Sequence, residues 1–225
     1  MTSMTAHEGT GGPEHHIHFQ CLVDAHSENV IGYEALARFA DGVAPDEHLA
    51  RARAAGRLRE LELTLMRSAV EASHVIPSDL LVTINASATT IASAELDGML
   101  PGGRRWGLEL AETSEIDPDG ALRRRVADFG ALLLIDDAGS QHACIEWISI
   151  LRPEIVKIDK SVVWAACDRR AARRQLDQFV AASRQVGAKT LAEGVESDLH
   201  ARVITEAGID YAQGFRYGLP AAFAA

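Results

Sequence analysis

The sequence predicts an α/β fold built on a mostly parallel sheet of eight strands, open or closed into a barrel, with one antiparallel pair at its start. Short apolar runs alternate with longer amphipathic stretches along the chain, which is the signature of repeated strand–helix units. The first two runs are separated only by Asp24 to Asn29. A parallel crossover needs a dozen or more residues, so these two strands should form an antiparallel hairpin. The length, 225 residues, matches the roughly 200–250 residues that closed α/β barrels use as one unit.

Taken in order, residues 1–16 read as a polar, flexible lead-in, with Gly9, Gly11, Gly12 and Pro13 and little to bury. His7, His15 and His16 lie in it, and a solvated chain explains them better than a metal site. The domain then runs from 17 to 225. Runs at 17–23, 30–36, 80–84, 105–110, 131–135, 154–158, 188–192 and 209–213 have the length and content of buried strands. Between them, apolar residues recur at helical spacing: Leu58, Leu61, Leu65, Ala69 and Ala72; Leu122, Val126 and Phe129; Leu176, Phe179, Val180 and Ser183; Leu199 and Val203. Trp147, Ile148, Ile150 and Leu151 read as one more helix face, packed on the sheet or at a subunit interface.

Composition excludes several functions. With 47% hydrophobic and 24% charged residues the chain is an ordinary globular protein. Asp and Glu number 32 against 22 Lys and Arg, a formal charge of −10. That disfavours DNA, RNA or an anionic membrane as partner, because each requires a basic surface. Arg123, Arg124, Arg125, Arg169, Arg170, Arg173 and Arg174 fall on predicted helices and read as solvated basic faces. No apolar run approaches the roughly 18–20 residues of a membrane span. Cys21, Cys144 and Cys167 lack CxxC spacing, so a cytoplasmic location is expected. Walker A, GxSxG and HExxH patterns are absent from the sequence.

The chemistry is expected where the strands end. Glu34, Asn85, Glu109, Asp136 with Asp137, Lys157 with Asp159, Glu193 and Gln213 each follow an apolar run. In barrels and open α/β sheets alike, ligands bind at the carboxyl ends of strands. One or two of these acids would serve as helix caps. The remainder would repel one another unless a cation joined them. Oxygen ligands with a single amide suit Mg²⁺ or Mn²⁺ better than zinc.

These residues also carry a resemblance. Glu34-Ala35-Leu36 followed by Arg38, Asn85 in Val-Thr-Ile-Asn-Ala-Ser, Glu109 in Leu-Glu-Leu-Ala-Glu and the Asp136-Asp137 pair appear in that order. Lys157-Ile158-Asp159, Glu193-Gly194-Val195-Glu196 and Gln213-Gly214 before Pro220 follow. The series resembles the EAL-domain family, which hydrolyses the bacterial second messenger cyclic di-GMP, and it covers residues 17 to 222.

The resemblance implies a TIM-like (β/α)8 barrel with one antiparallel strand, and two divalent cations, Mg²⁺ or Mn²⁺. Glu34, Asn85, Glu109 and Asp136 would hold one ion, with Asp136 shared and Asp137 holding the other. Lys157, Glu193 and Gln213 would take catalytic roles at the reacting water, and Arg38, Gln20 and Leu36 would contact the nucleotide. Glu196, Asp159 and Glu112 would give support from behind. The implied reaction opens one phosphodiester of cyclic di-GMP to linear pGpG. A homodimer and a separate regulatory protein partner are also implied.

The chain departs from the family pattern at Ala138-Gly139-Ser140-Gln141, where the family writes Phe-Gly-Thr-Gly. The rival reading is therefore a weak or inactive domain that senses cyclic di-GMP or binds a protein as an adaptor.

Overall fold

Asp24 turns the chain at its first connection. Its Oδ1 accepts the amide hydrogens of His26 (3.0 Å) and Ser27 (2.8 Å), while Glu28 adopts a left-handed φ of 58°. Aspartate favours such side-chain mimicry of a backbone turn. The strands on either side, β1 (His15–Asp24) and β2 (Val30–Phe39), pair antiparallel. The computed structural model describes residues 13–110, 120–139 and 145–223. Strand β1 begins two residues inside the segment read as a lead-in, and half-buried His15 packs on Phe39 and bonds Ser68 Oγ.

After the hairpin come α1 (Pro45–Ala54), α2 (Leu58–Ala72), β3 (Leu81–Ala86), α3 (Ala88–Ile91), β4 (Trp106–Leu110), α4 (Ala121–Asp128) and β5 (Leu132–Ala138). The chain continues through α5 (Ile145–Leu151), β6 (Ile155–Ile158), α6 (Lys160–Asp168), α7 (Arg170–Val186), β7 (Lys189–Ala192), α8 (Asp198–Ala207) and β8 (Tyr211–Ala212). The strands close into a barrel in the order β1 to β8. All neighbours from β2 to β8 run parallel, and β8 closes on β1 antiparallel through Val23 with Ala212 and Asp24 with Tyr211.

The two-residue period of a strand divides its side chains between the barrel interior and the outer helices. Leu22, Leu81, Leu134, Ile155 and Leu191 form a buried interior layer. Two residues toward the rim, the same strand faces carry Gln20, Thr83, Asp136, Lys157 and Glu193. A larger outer core, including Met66, Ile84, Ile135, Val156 and Phe179, lies between sheet and helices.

Five features differ from the periodicity, the first being Ile150, which is 43% exposed while Ile148 and Leu151 of the same helix are buried. Helix α1 has few apolar positions and buries only His48, so its signal is a Pro start followed by Asp46 and Glu47 in the first turn. Strand β5 runs three residues beyond its apolar run, through a register shift between Ile135 and Ala138. Strand β8 has only two residues, and Ile209 joins the outer core instead. Leu199 is 47% exposed, and α8 packs through Val203 and Ile204.

Gly107 exposes how tightly the interior is filled. A Cβ there would lie 2.8 Å from both Leu134 Cδ1 and Thr83 Cγ2, whereas a Cβ on Gly102 meets nothing within 4 Å. Gly107→Ala should therefore destabilise the fold by about 1–3 kcal/mol in urea titration, with Gly102→Ala within about 0.5 kcal/mol of the parent. Equal effects would contradict the packed interior.

A candidate metal centre at the barrel rim

Strand β6 aims Lys157 from the layer above Ile155 into the middle of the barrel mouth. Its side chain is 1% exposed, and four carboxylates surround the ammonium. Nζ lies 2.5 Å from Glu109 Oε2, 2.8 Å from Asp136 Oδ1, 3.0 Å from Glu193 Oε1 and 3.5 Å from Glu34 Oε2. These acids come from β2, β4, β5 and the residue following β7, so closure of the barrel is what brings them together.

Neutral amides complete the acidic group. Gln213 Nε2 donates to Glu34 Oε2 (2.6 Å) and Gln20 Oε1 (3.0 Å), while Asn85 Nδ2 donates to Glu34 Oε1 (3.1 Å). Gln20 Nε2 in turn donates to Gly218 O (3.0 Å), tying the C-terminal segment to the site. Gln20 pairs directly with Glu34 in the hairpin register, and Asn85 with Glu109 across β3 and β4.

The charge balance is unequal. Burial opposes ionisation of Glu109 and raises its carboxyl well above the ordinary range, with the charge of Glu34 adding to the effect. Burial likewise pushes Glu193 up to about 8, against the pull of Lys157. Burial disfavours the charged form of Glu34 too, but Lys157 and the bonds from Gln213 and Asn85 outweigh it and lower its pKa. For Lys157 itself, burial favours the neutral amine; Asp136, Glu109, Glu193 and Glu34 together overcome that and hold the ammonium strongly protonated.

The donor set fits divalent cations. Ligand oxygens of Asp136, Asp137 and Glu193 all lie within 4.8 Å of one another. Among the described residues, Glu109 Oε1, Gln213 Oε1 and Thr83 Oγ1 are buried with no hydrogen-bond partner. Oxygens left over in this way, beside surplus carboxylates, suit a hard cation. Asp137 owes its outward position to the irregularity at the end of β5: its φ is 55°, and its amide donates to Asp136 Oδ1 at 3.1 Å.

The remaining residues singled out in the sequence separate. Leu36 and Arg38 line a cavity of about 300 Å³ that opens from Glu34, Asn85, Asp136 and Asp137 toward α1 and α2. Arg38 Nη1 donates to Ala37 O at 2.7 Å. Asp159 lies outside the cluster: it caps α6, accepting from Ser161 N at 2.9 Å and from Ser161 Oγ. Glu196 is exposed near the end of the β7–α8 connection, next to Ser197, the cap of α8. Glu112, Ser140 and Gln141 lie outside the described residues.

Glu62, which no strand-end pattern marks, is a buried carboxylate in the wall of the same cavity. It accepts from Ser87 N (3.2 Å), Ser87 Oγ (2.6 Å) and Thr90 Oγ1, just beyond Asn85. A single acid inside the apolar stripe of α2 is the only trace of it in the sequence.

The EAL domain family model matches residues 9–220. The probable cyclic di-GMP phosphodiesterase PdeD of Escherichia coli K12 is 26% identical over 94% of this chain and 42% of its own length. The chain thus spans about two fifths of that relative. An EAL domain protein from Listeria monocytogenes EGD-e superposes with a TM-score of 0.80 at 22% identity, covering 92% of this chain and 89% of that one. The manganese and cyclic di-GMP complex of Klebsiella pneumoniae BlrP1 gives 0.80 at 22% identity, covering 96% and 58%. With its barrel closed as in these structures and the family model matched almost end to end, the chain belongs to the EAL domain family.

Proposed function

We propose that this chain hydrolyses cyclic di-GMP to linear 5′-pGpG with two divalent cations, Mg²⁺ or Mn²⁺. The observation that carries the reading is a buried ammonium outnumbered four to one by carboxylates at the end of the barrel where such folds bind ligands. The naming of PdeD as a probable cyclic di-GMP phosphodiesterase and the manganese and cyclic di-GMP complex of BlrP1 support it.

In this reading Glu34, Asn85, Glu109 and Asp136 would hold one ion, and Asp136, Asp137 and Glu193 the other. When bound, two such cations would supply a water activated at neutral pH and positive charge for the phosphoryl oxygens. Lys157, held protonated, stabilises negative charge that develops on the oxygens of the scissile phosphodiester. Arg38 presents a planar guanidinium to a phosphate of the dinucleotide, and Leu36 gives an apolar wall beside it. Gln213, fixed by Gln20 and Glu34, orients the reacting water. Assembly as a homodimer, control by a separate protein partner and a cytoplasmic location belong to the same reading.

Purified protein with Mg²⁺ or Mn²⁺ should convert cyclic di-GMP to pGpG. Asp137→Asn, an exchange at an exposed position, should lower turnover by about 100-fold while leaving the melting temperature unchanged. Tight nucleotide binding without pGpG would replace this reading with that of a sensor or adaptor.

The metal-free protein should also become less stable as pH rises. The carboxyl of Glu193 titrates at about 8 in the fold against an ordinary 4.5, so the folded form holds that proton more tightly than the unfolded chain. Its contribution is full below 4.5 and is lost as pH rises through about 8, at up to about 1.4 kcal/mol per pH unit. Melting temperature in chelator should fall between about pH 6 and 8, and saturating Mn²⁺ should remove the fall. A flat profile in chelator would contradict this electrostatic account.

A further inference from the structure

The segment that carries Glu193 is anchored at five points. Three are backbone bonds: Glu193 N–H donates to Ile158 O (3.0 Å), Val195 N–H to Gln213 O (2.9 Å) and Arg216 N–H to Val195 O (3.0 Å). Two are side chains from outside the barrel interior. Trp164, on α6, donates its Nε1–H to Gly194 O at 2.7 Å. His200, in the first turn of α8, accepts the Glu196 amide hydrogen at Nδ1 at 3.2 Å.

The two rings also contact each other, with centroids 5.9 Å apart and planes 28° from parallel. Since a backbone amide only donates, Nδ1 of His200 must be the acceptor, which places the ring hydrogen on Nε2. The position of His200 is fixed by its own amide, which donates to Ser197 Oγ (3.2 Å), the cap of α8. Gly194 closes the arrangement. It has a φ of 62°, and a Cβ on it would come within 2.4 Å of Lys160 Cβ and 3.3 Å of Trp164 Nε1, so the loop is seated directly on α6. Trp164 is 38% exposed. Its ring lies outside the buried core clusters and carries the Lys160 ammonium 5.8 Å from its centroid, and its hydrogen bond goes to the loop at Gly194.

We propose that Trp164 and His200 are positioning residues for Glu193, clamping the loop on both sides of Val195 so that the Glu193 carboxylate stays beside Lys157, Asp136 and Asp137. The proposal rests on the reading that Glu193 serves the metal centre. It assigns to two residues 36 positions apart, neither of which touches the carboxylates, a common effect on cation binding.

The test compares Trp164→Phe, which keeps the ring and removes the donor, with His200→Phe, which keeps a ring and removes the acceptor, and His200→Gln, which restores an acceptor. Mn²⁺ affinity is measured by calorimetry, and exchange of the Glu196 amide hydrogen by NMR in the metal-free protein. Trp164→Phe and His200→Phe should each weaken Mn²⁺ binding about tenfold and speed that exchange, with His200→Gln within about twofold of the parent. Parent-like Mn²⁺ affinity in both Phe variants overturns the clamp, and so does faster exchange with unchanged affinity, which marks a purely structural tether. A parent protein that takes up no Mn²⁺ overturns the metal reading itself, and the proposal with it.

Discussion

One buried ammonium facing four carboxylates is the interaction on which the rest of the site depends. Removing a charged group from water costs several kcal/mol, and that cost is met only where opposite charge and hydrogen bonds surround it. Lys157 has that surrounding because the barrel closes: its partners stand at Glu34, Glu109, Asp136 and Glu193, spread from 34 to 193 in sequence. A single ammonium cannot neutralise four acids. The metal-free fold answers by holding Glu109 and Glu193 protonated more readily than ordinary carboxyls, so the site is short of positive charge. In a chain of formal charge −10, two of the three buried carboxylates among the described residues, Glu34 and Glu109, stand here.

The layers beneath give that shortage its geometry. Leu22, Leu81, Leu134, Ile155 and Leu191 fill the barrel interior, and the strand period then places a polar group two residues above each of them. Gly32 and Gly107 contribute by absence, since a Cβ on either would collide with Leu81 or Leu134. The apolar floor keeps water from solvating the charges from below, and the cavity lined by Leu36, Arg38 and Glu62 opens beside them. Strand register, core packing and electrostatics thus converge on one end of the barrel.

Much of this is legible in the sequence because strand ends carry a simple pattern, an apolar run followed by an acid or amide. The antiparallel start is legible for a similarly local reason: six residues cannot make a crossover. Asp159 shows where the pattern fails. It follows an apolar run as Asp136 does, yet it is spent on the Ser161 amide as a helix cap, and only the backbone direction after the strand tells the two apart. Glu62 is hidden because helical periodicity marks which face is buried, not which polar residue is buried with it. The Trp164 and His200 contacts are hidden more fully, since a hydrogen bond and a ring contact between residues 36 apart leave no periodic trace. The seven ordered motifs point to the family that the EAL domain match over residues 9–220 shows, whereas how Lys157 shares itself among four acids emerges only in three dimensions.

The central claim is that this acidic group is a site for two divalent cations. It is tested most directly by the anomalous signal of manganese in crystals of the protein soaked with Mn²⁺. The account predicts two peaks, one among Glu34, Asn85, Glu109 and Asp136, and the other among Asp136, Asp137 and Glu193. An empty rim, with Lys157 still bridging the carboxylates at saturating Mn²⁺, would contradict it.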